Sequence, residues 1–267
     1  MPRFLDEIVA WHRARADADE RDLDELFARA VRATAKDPPR DFIASLRRAP
    51  GIAVIAEIKR RSPSKGDLAA GLDPSSLASA YASGGAACLS VLTDEPFFGG
   101  SAADLGAART AVTLPVLRKD FTVCRADVAD ARIMGADAVL LIVAALSDDE
   151  LRAFLSDARA LALSALVEVH DESEAERALA AGASLVGVNH RDLRTFEIDA
   201  SRAARVAQVL GSGVVKVAES GIRGAADVAP LLDAGIDAVL VGEALVTAPD
   251  PAGAVRSLAA LQASEAH

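Results

Sequence analysis

The stretch "AEIKRRSPSKG" (56–66) places Glu57 and Lys59 two residues apart. On a strand, that spacing sends both side chains to one face. A carboxylate and an ammonium leaving the end of the apolar run "IAVI" together are equipped to move or orient a proton. A solvated ion pair at a strand end is the plainer alternative. The same kind of group recurs along the chain, however. Lys119, followed by Asp120, closes "LPVLRKD", and Glu168 sits in "SALVEVH". Asn189 closes "SLVGVN" with Arg191 just beyond, and Glu219 and Ser220 close "VVKVAES". Singly, each would pass as a loop residue; together, at equivalent places in a repeating unit, they describe a site. A lysine serves as an acid near neutral pH when burial or a second cation lowers its pKa. Lys59 and Lys119 would depress each other, and the three glutamates would do the reverse. The sequence leaves that balance open.

Two glycine-bearing stretches add a second chemistry. "ESGI" and "VGEAL" carry Gly221 and Gly242, where a backbone without Cβ comes close to an anion. "EALVTA" would start a short helix whose first amides face a phosphate. The carboxylate of Glu243, in that first turn, is expected to turn away from the phosphate.

These groups need elements to hold them. From residue 52 a unit recurs: an apolar run, a polar turn, then an Ala-rich helical stretch. The runs are 52–59, 86–93, 114–120, 138–143, 164–170, 184–189, 214–220 and 238–242. Continuous apolar runs suit parallel strands buried on both faces. "GGAAC", "GADAV", "GASLV" and "GIDAV" each read as a helix C-cap glycine leading into a strand. Eight such units predict an α/β fold, a (β/α)8 TIM barrel, whose chemistry sits at the C-terminal ends of its strands. A doubly wound open sheet is the alternative, but no Gly-x-Gly-x-x-Gly follows the first strand. Residues 1–50 read as a helical N-terminal extension, with helices near 3–16 and 19–34 and a third in "RDFIASLRRA". It is too small to hold a core alone, so 1–267 is expected to be one domain.

Composition narrows the function classes. The net charge of −10 argues against a nucleic-acid binder. No apolar run reaches the roughly 20 residues that span a bilayer. The charged, amphipathic start lacks an apolar signal core, so a cytoplasmic setting is expected. Cys88 and Cys124 lie in unrelated contexts, Cys88 in an apolar strand as a core residue, and the four histidines show no metal-ligand spacing. The expected partner is a small phosphorylated molecule, without nucleic acid or membrane. A monomer is expected, with a weak dimer as the alternative.

The motifs "VIAEIKRRSPSKG", "LSVLTDEPFFGG", "PVLRKDF", "GADAVLLIVAAL", "LVEVHDESE", "GVNHRDLRTFEID" and "VAESGI" closely resemble the indole-3-glycerol phosphate synthase family, in that family's order, from about residue 50 onward. A helical extension before the barrel is also a feature of that family. The resemblance implies closure of an indole ring on 1-(2-carboxyphenylamino)-1-deoxyribulose 5-phosphate, with loss of carbon dioxide and water and with no cofactor or metal. It implies Lys119 as the general acid on the ketone oxygen and Glu168 as the carboxyl group of the dehydration. Lys59 would meet the substrate carboxylate, with Glu57, Asn189 and Glu219 orienting lysines and substrate. Ser62, Arg191, Ser220, Gly221 and Gly242 match the phosphate and substrate side. Phe98 and Leu140 match the apolar wall for the anthranilate ring. Loop 60–67 would be a mobile, basic closure over the site.

The chain departs from the family pattern twice. "KDFTVCRADVADAR" lacks the Pro-Tyr pair that often follows "KDF", and Glu243 stands where other members have Ser. The rival on the same fold, phosphoribosylanthranilate isomerase, expects an acid/base pair such as Cys and Asp at strands one and six. This chain offers Glu57, Lys59 and Asn189 there. A silent phosphate-binding barrel would be expected to lack Lys119 or Glu168, and both are present.

Overall fold

The computed structural model describes residues 4–62, 65–69, 71–191, 199 and 201–262. Eight parallel strands close into a barrel: β1 (Ala53–Ile58), β2 (Cys88–Leu92), β3 (Val116–Lys119), β4 (Ala138–Ile142), β5 (Ser164–Val169), β6 (Leu185–Asn189), β7 (Val215–Glu219) and β8 (Ala238–Val241). β1 pairs with both β2 (Ile55 opposite Cys88) and β8 (Ala53 opposite Ala238), which closes the ring. Each strand falls inside its predicted run and is a residue or more shorter. The open-sheet alternative is excluded.

The strands are apolar on both faces because each face meets a different core. Val54, Ala56, Leu89, Val116, Val139 and Leu141 face the surrounding helices. Ala53, Ile55, Cys88, Leu117, Leu140, Leu166, Val217 and Leu240 fill the interior. Side chains alternate along a strand, so the inward series can be followed to the C-terminal rim. It runs Ala53, Ile55, Glu57, Lys59 on β1 and Leu117, Lys119 on β3. It continues Leu166, Glu168 on β5, Leu185, Gly187, Asn189 on β6, and Val215, Val217, Glu219 on β7. On these five strands the interior is hydrocarbon at the lower positions and polar or ionisable at the C-terminal rim.

The helix-end glycines behave as predicted. Gly85, Gly135, Gly182 and Gly235 all have φ between 74 and 95°, the left-handed backbone that ends a helix before the next strand.

The N-terminal segment runs the height of the barrel. Helix α1 (Phe4–Asp17) lies at the C-terminal mouth, α2 (Leu23–Lys36) packs on the helix Arg125–Ile133, and α3 (Phe42–Arg47) closes the opposite end. Phe42 and Leu46 of α3 join the interior core beneath Ala53 and Cys88. α2 starts four residues later than predicted because Asp22 caps it, accepting the Glu25 amide at 2.9 Å. A short helix, Glu95–Phe98, was not foreseen. Asp94 nucleates it by accepting the amides of Phe97 and Phe98 at 2.7 and 3.0 Å.

Candidate active site

The strand ends open into a cavity of about 890 Å³. Every sequence-predicted site residue lines it. At its floor, Lys119 Nζ donates to Glu168 Oε2 and to Glu219 Oε2, each at 3.1 Å. Both carboxyls are almost fully buried. Glu168 Oε1 accepts from Asn189 Nδ2 at 3.1 Å, and Asn189 Oδ1 accepts the Arg191 amide at 3.0 Å. A separate pair stands beside this cluster: Lys59 Nζ lies 2.7 Å from Glu57 Oε1. Glu57 and Lys59 therefore face the site together, as their spacing requires.

The charge balance left open by the sequence falls to the carboxylates. Burial works against the charge on Lys119, but Glu219, Glu168 and Glu57 outweigh it and hold its pKa above the ordinary lysine value. Burial also works against the charge on Glu168, but Lys119, His170 and Asn189 hold its pKa below the ordinary value. Glu219 is pushed up to about 7, by burial first, with Glu168 adding repulsion against the pull of Lys119. The two carboxyls on one ammonium therefore titrate apart.

Two glycines make this packing fit. A Cβ on Gly187 would collide with Glu219 Oε1, and one on Gly242 would collide with the Glu57 carboxylate and crowd Lys59 Nζ. Gly242 also serves the packing of the site: its bare backbone makes room for the Glu57–Lys59 pair. Gly187 was missed, although a lone glycine inside an apolar strand run is the sequence signal for such a close approach.

The wall is apolar. Phe98, Phe121, Leu140 and Ile142 line it, as do Phe4, Leu5 and Ile8 of α1, which the sequence motifs do not single out. Phe98 and Phe121 rings lie 6.2 Å apart. α1 is fastened there by His12, whose Nε2 is 2.9 Å from Asp94 Oδ2. Asp94, His12 and Asp120 lie close together, but each has protein partners. Asp94 caps the short helix, and Asp120 accepts from Thr93 Oγ1 at 2.5 Å and Arg118 Nη2 at 2.9 Å.

Ser220, Gly221, Gly242 and Glu243 line the opposite side with Ser62, whose buried hydroxyl has no partner among the described residues. The Glu243 carboxylate is tied to Lys65 Nζ across the cavity rim. The basic run after β1 is largely committed to the protein. Arg60 holds Asp104 at 2.8 and 3.0 Å, and Arg61 donates to the Phe97 carbonyl at 3.1 Å. Of Arg60, Arg61 and Lys65, only Lys65 lines the cavity. Arg61–Ser62 pairs with Gly66–Asp67 as a small antiparallel hairpin; Pro63 and Ser64 lie outside the described residues.

Buried ionisable groups gathered at the C-terminal mouth of a closed barrel define the class: a (β/α)8-barrel enzyme acting on a small molecule. Comparison with known proteins narrows this. The family model described as "Indole-3-glycerol phosphate synthase" matches residues 5–258. A protein of that name from a Nocardioides species is 55% identical, over 97% of this chain and 98% of its own length. One from Mycolicibacterium gilvum is 54% identical, over 95% and 93%. The chain belongs to the indole-3-glycerol phosphate synthase family. Among solved structures, a 3-hexulose-6-phosphate synthase matches with TM-score 0.63 at 19% identity, over 79% of this chain and 100% of that one. A thiamine phosphate pyrophosphorylase from Pyrococcus furiosus matches with TM-score 0.59 at 18% identity, over 78% and 93%. These two bear on the fold alone.

Proposed function

We propose that the chain converts 1-(2-carboxyphenylamino)-1-deoxyribulose 5-phosphate to indole-3-glycerol phosphate, a carboxy-lyase step of tryptophan biosynthesis. The observation that carries the residue roles is Lys119 held between Glu168 and Glu219 at the cavity floor.

In ring closure, the aromatic carbon bearing the carboxylate attacks the ketone carbon. The carbonyl π electrons move to oxygen, and Lys119 supplies the proton. A lysine whose pKa is raised is a weak acid toward a ketone. It is adequate toward the far more basic oxygen that forms as the new bond closes, and its charge stabilises that oxygen throughout. The carbon–carboxyl bond then breaks, releasing carbon dioxide and returning its electron pair to the ring. In dehydration, the hydroxyl leaves as water and a proton is lost from the new ring. Glu168, ionised at neutral pH, is the base. Lys59 meets the substrate carboxylate first and supplies the proton to the departing hydroxyl, with Glu57 holding it in place. Glu219 and Asn189 keep Lys119 and Glu168 aimed.

The aromatic ring rests against Phe98, Leu140 and Phe121. The phosphate lies toward Ser62, Arg191 and the backbone of Ser220, Gly221, Gly242 and Glu243. We place the chain in the cytoplasm as a monomer and as one unit, with the N-terminal helices part of the barrel. Free thiols at Cys88 and Cys124 support that compartment, and no helix among the described residues is long and apolar enough to cross a membrane.

The test is turnover of the anthranilate-bearing substrate, followed by indole fluorescence. Appearance of indole-3-glycerol phosphate is expected. Turnover of phosphoribosylanthranilate instead, or binding without turnover, would overturn the reading.

A further inference from the structure

His170 is absent from the cavity wall and unused by the reaction, yet it touches the reacting groups from behind. It follows Glu168 by two residues at the end of β5, and it is largely buried. Its ring stands between two carboxylates. Nδ1 is 3.1 Å from Glu174 Oε2, and the same oxygen accepts the His170 backbone amide at 2.7 Å. Nε2 lies 3.5 Å from Glu168 Oε1, is buried, and has no hydrogen-bond partner among the described residues. An ionised carboxylate only accepts hydrogen bonds. The bond to Glu174 therefore places a proton on Nδ1. In a neutral ring, the Nε2 lone pair would then face the Glu168 oxygen, two acceptors opposed in a buried place. A ring protonated on both nitrogens removes the conflict and donates to both sides.

We propose that His170 is a positioning residue that decides which of the two carboxyls on Lys119 is ionised: as an imidazolium it fixes the charge on Glu168 and leaves Glu219 as the carboxyl that takes up a proton. The proposal rests on the roles given to Lys119 and Glu168 above. The asymmetry between the two glutamates is visible in their partners. Glu168 has Lys119 on one oxygen, with Asn189 and His170 at the other. Glu219 has Lys119 on one oxygen, while its other is buried and unpartnered among the described residues. Groups on every neighbouring element bear on the ring. Glu168 on β5 and Glu174 on the helix Glu172–Ala180 raise its pKa, while burial and Arg202 on the helix Arg202–Leu210 oppose them; the net shift is upward from 6.5. Lys119, across Glu168, adds a further like charge at longer range. Glu174 is partly exposed, so the chain Glu174–His170–Glu168 also links the cavity floor to the surface.

The experiment pairs a pH profile with a spectrum. His170→Gln keeps a donor of similar reach and removes the charge; His170→Ala removes both. The base must be ionised to act, so the acidic limb of kcat reports Glu168. Without the imidazolium, that limb should move up by about one pH unit, within the range for a nearby opposite charge. On that limb, at pH 4.5 and below, kcat should fall several-fold while KM stays within about twofold, and raising the pH should restore the Gln variant more than the Ala variant. A purely structural role would lower kcat at all pH values and leave the limb in place, which overturns the proposal. If the variants do not fold, 15N spectra of histidine-labelled wild-type protein, with His170 assigned through its own amide, still decide. Both ring nitrogens should remain protonated at pH 7, and a neutral ring with its proton on Nδ1 at pH 6.5 overturns the proposal. If the wild-type protein turns over no substrate, the functional reading fails while the spectrum still judges His170.

Discussion

Lys119 carries the heaviest demand on any one side chain. Lys119→Ala should lower kcat by about 10²–10⁴-fold, the usual range for a positioned acid. The fold should survive, because Glu168 and Glu219 can then share a proton instead of an ammonium. A well-folded variant within tenfold of wild type would place the acid elsewhere. Glu219 makes a separate prediction in stability. Its ordinary value is 4.5 and its folded value about 7. Between those two the native state holds a proton that the unfolded chain has released. The contribution is therefore full below pH 4.5 and lost as pH rises through 7. Glu219→Gln removes this slope. Relative to wild type it should gain stability between pH 5 and pH 8, on the order of 3 kcal/mol at about 1.4 kcal/mol per pH unit. Glu168, shifted downward, contributes no such loss in that range. Urea unfolding of both proteins at the two pH values measures it, and an unchanged difference would mean that Glu219 is ionised throughout.

Strands and loops decide what those side chains can do. The inward series on β1, β3, β5, β6 and β7 is legible in the sequence alone, because alternation and apolar runs fix which residues reach the rim. What is not legible there comes from contacts between distant elements. Nothing local says that Gly187 of β6 lies beneath Glu219 of β7, or that Gly242 makes room for Glu57. The same is true of Lys65 reaching Glu243, or of the short helix after β2, whose motif is recognisable but whose cap is not. Gly187→Ala tests the first. The added Cβ forces Glu219 aside, and overpacking of this kind costs about 1–3 kcal/mol. A lower melting temperature should accompany a loss of kcat; full kcat would show that Glu219 has room to spare. The Lys65–Glu243 tie tests the loops after β1 and β8. Exposed ion pairs contribute only about 0.2–1 kcal/mol, so Glu243→Gln should release Lys65 toward the phosphate and lower KM a few-fold. In a Lys65→Met background the same change should do little. An equal effect in both backgrounds would show that Glu243 repels the phosphate directly.

At the scale of the whole molecule, the N-terminal segment ties the two ends of the barrel together. α3 seals the floor with Phe42 and Leu46, while α1 walls the mouth with Leu5 and Ile8. The extension is legible as helices; its position over the cavity is not, since no pattern within 1–50 names its partners. The latch is the buried pair of His12 and Asp94. Asp94 also caps the helix carrying Phe97 and Phe98, so α1, that cap and the aromatic wall form one connected unit. Arg13 to Glu150 at 2.8 Å supports it from the surface, where such pairs add little. His12→Leu keeps apolar volume but leaves one buried Asp94 oxygen without its partner, a cost of about 1–3 kcal/mol. For a chain of this size that is a melting temperature lower by roughly 2–10 °C. The reacting groups at the floor do not touch His12, so kcat should hold within about twofold. The ring-binding wall should loosen, raising KM several-fold. Parallel thermal unfolding and steady-state kinetics separate the outcomes. A fall in kcat at constant KM would mean that α1 acts on the proton-transfer cluster rather than on the wall, and the latch would have to be reassigned.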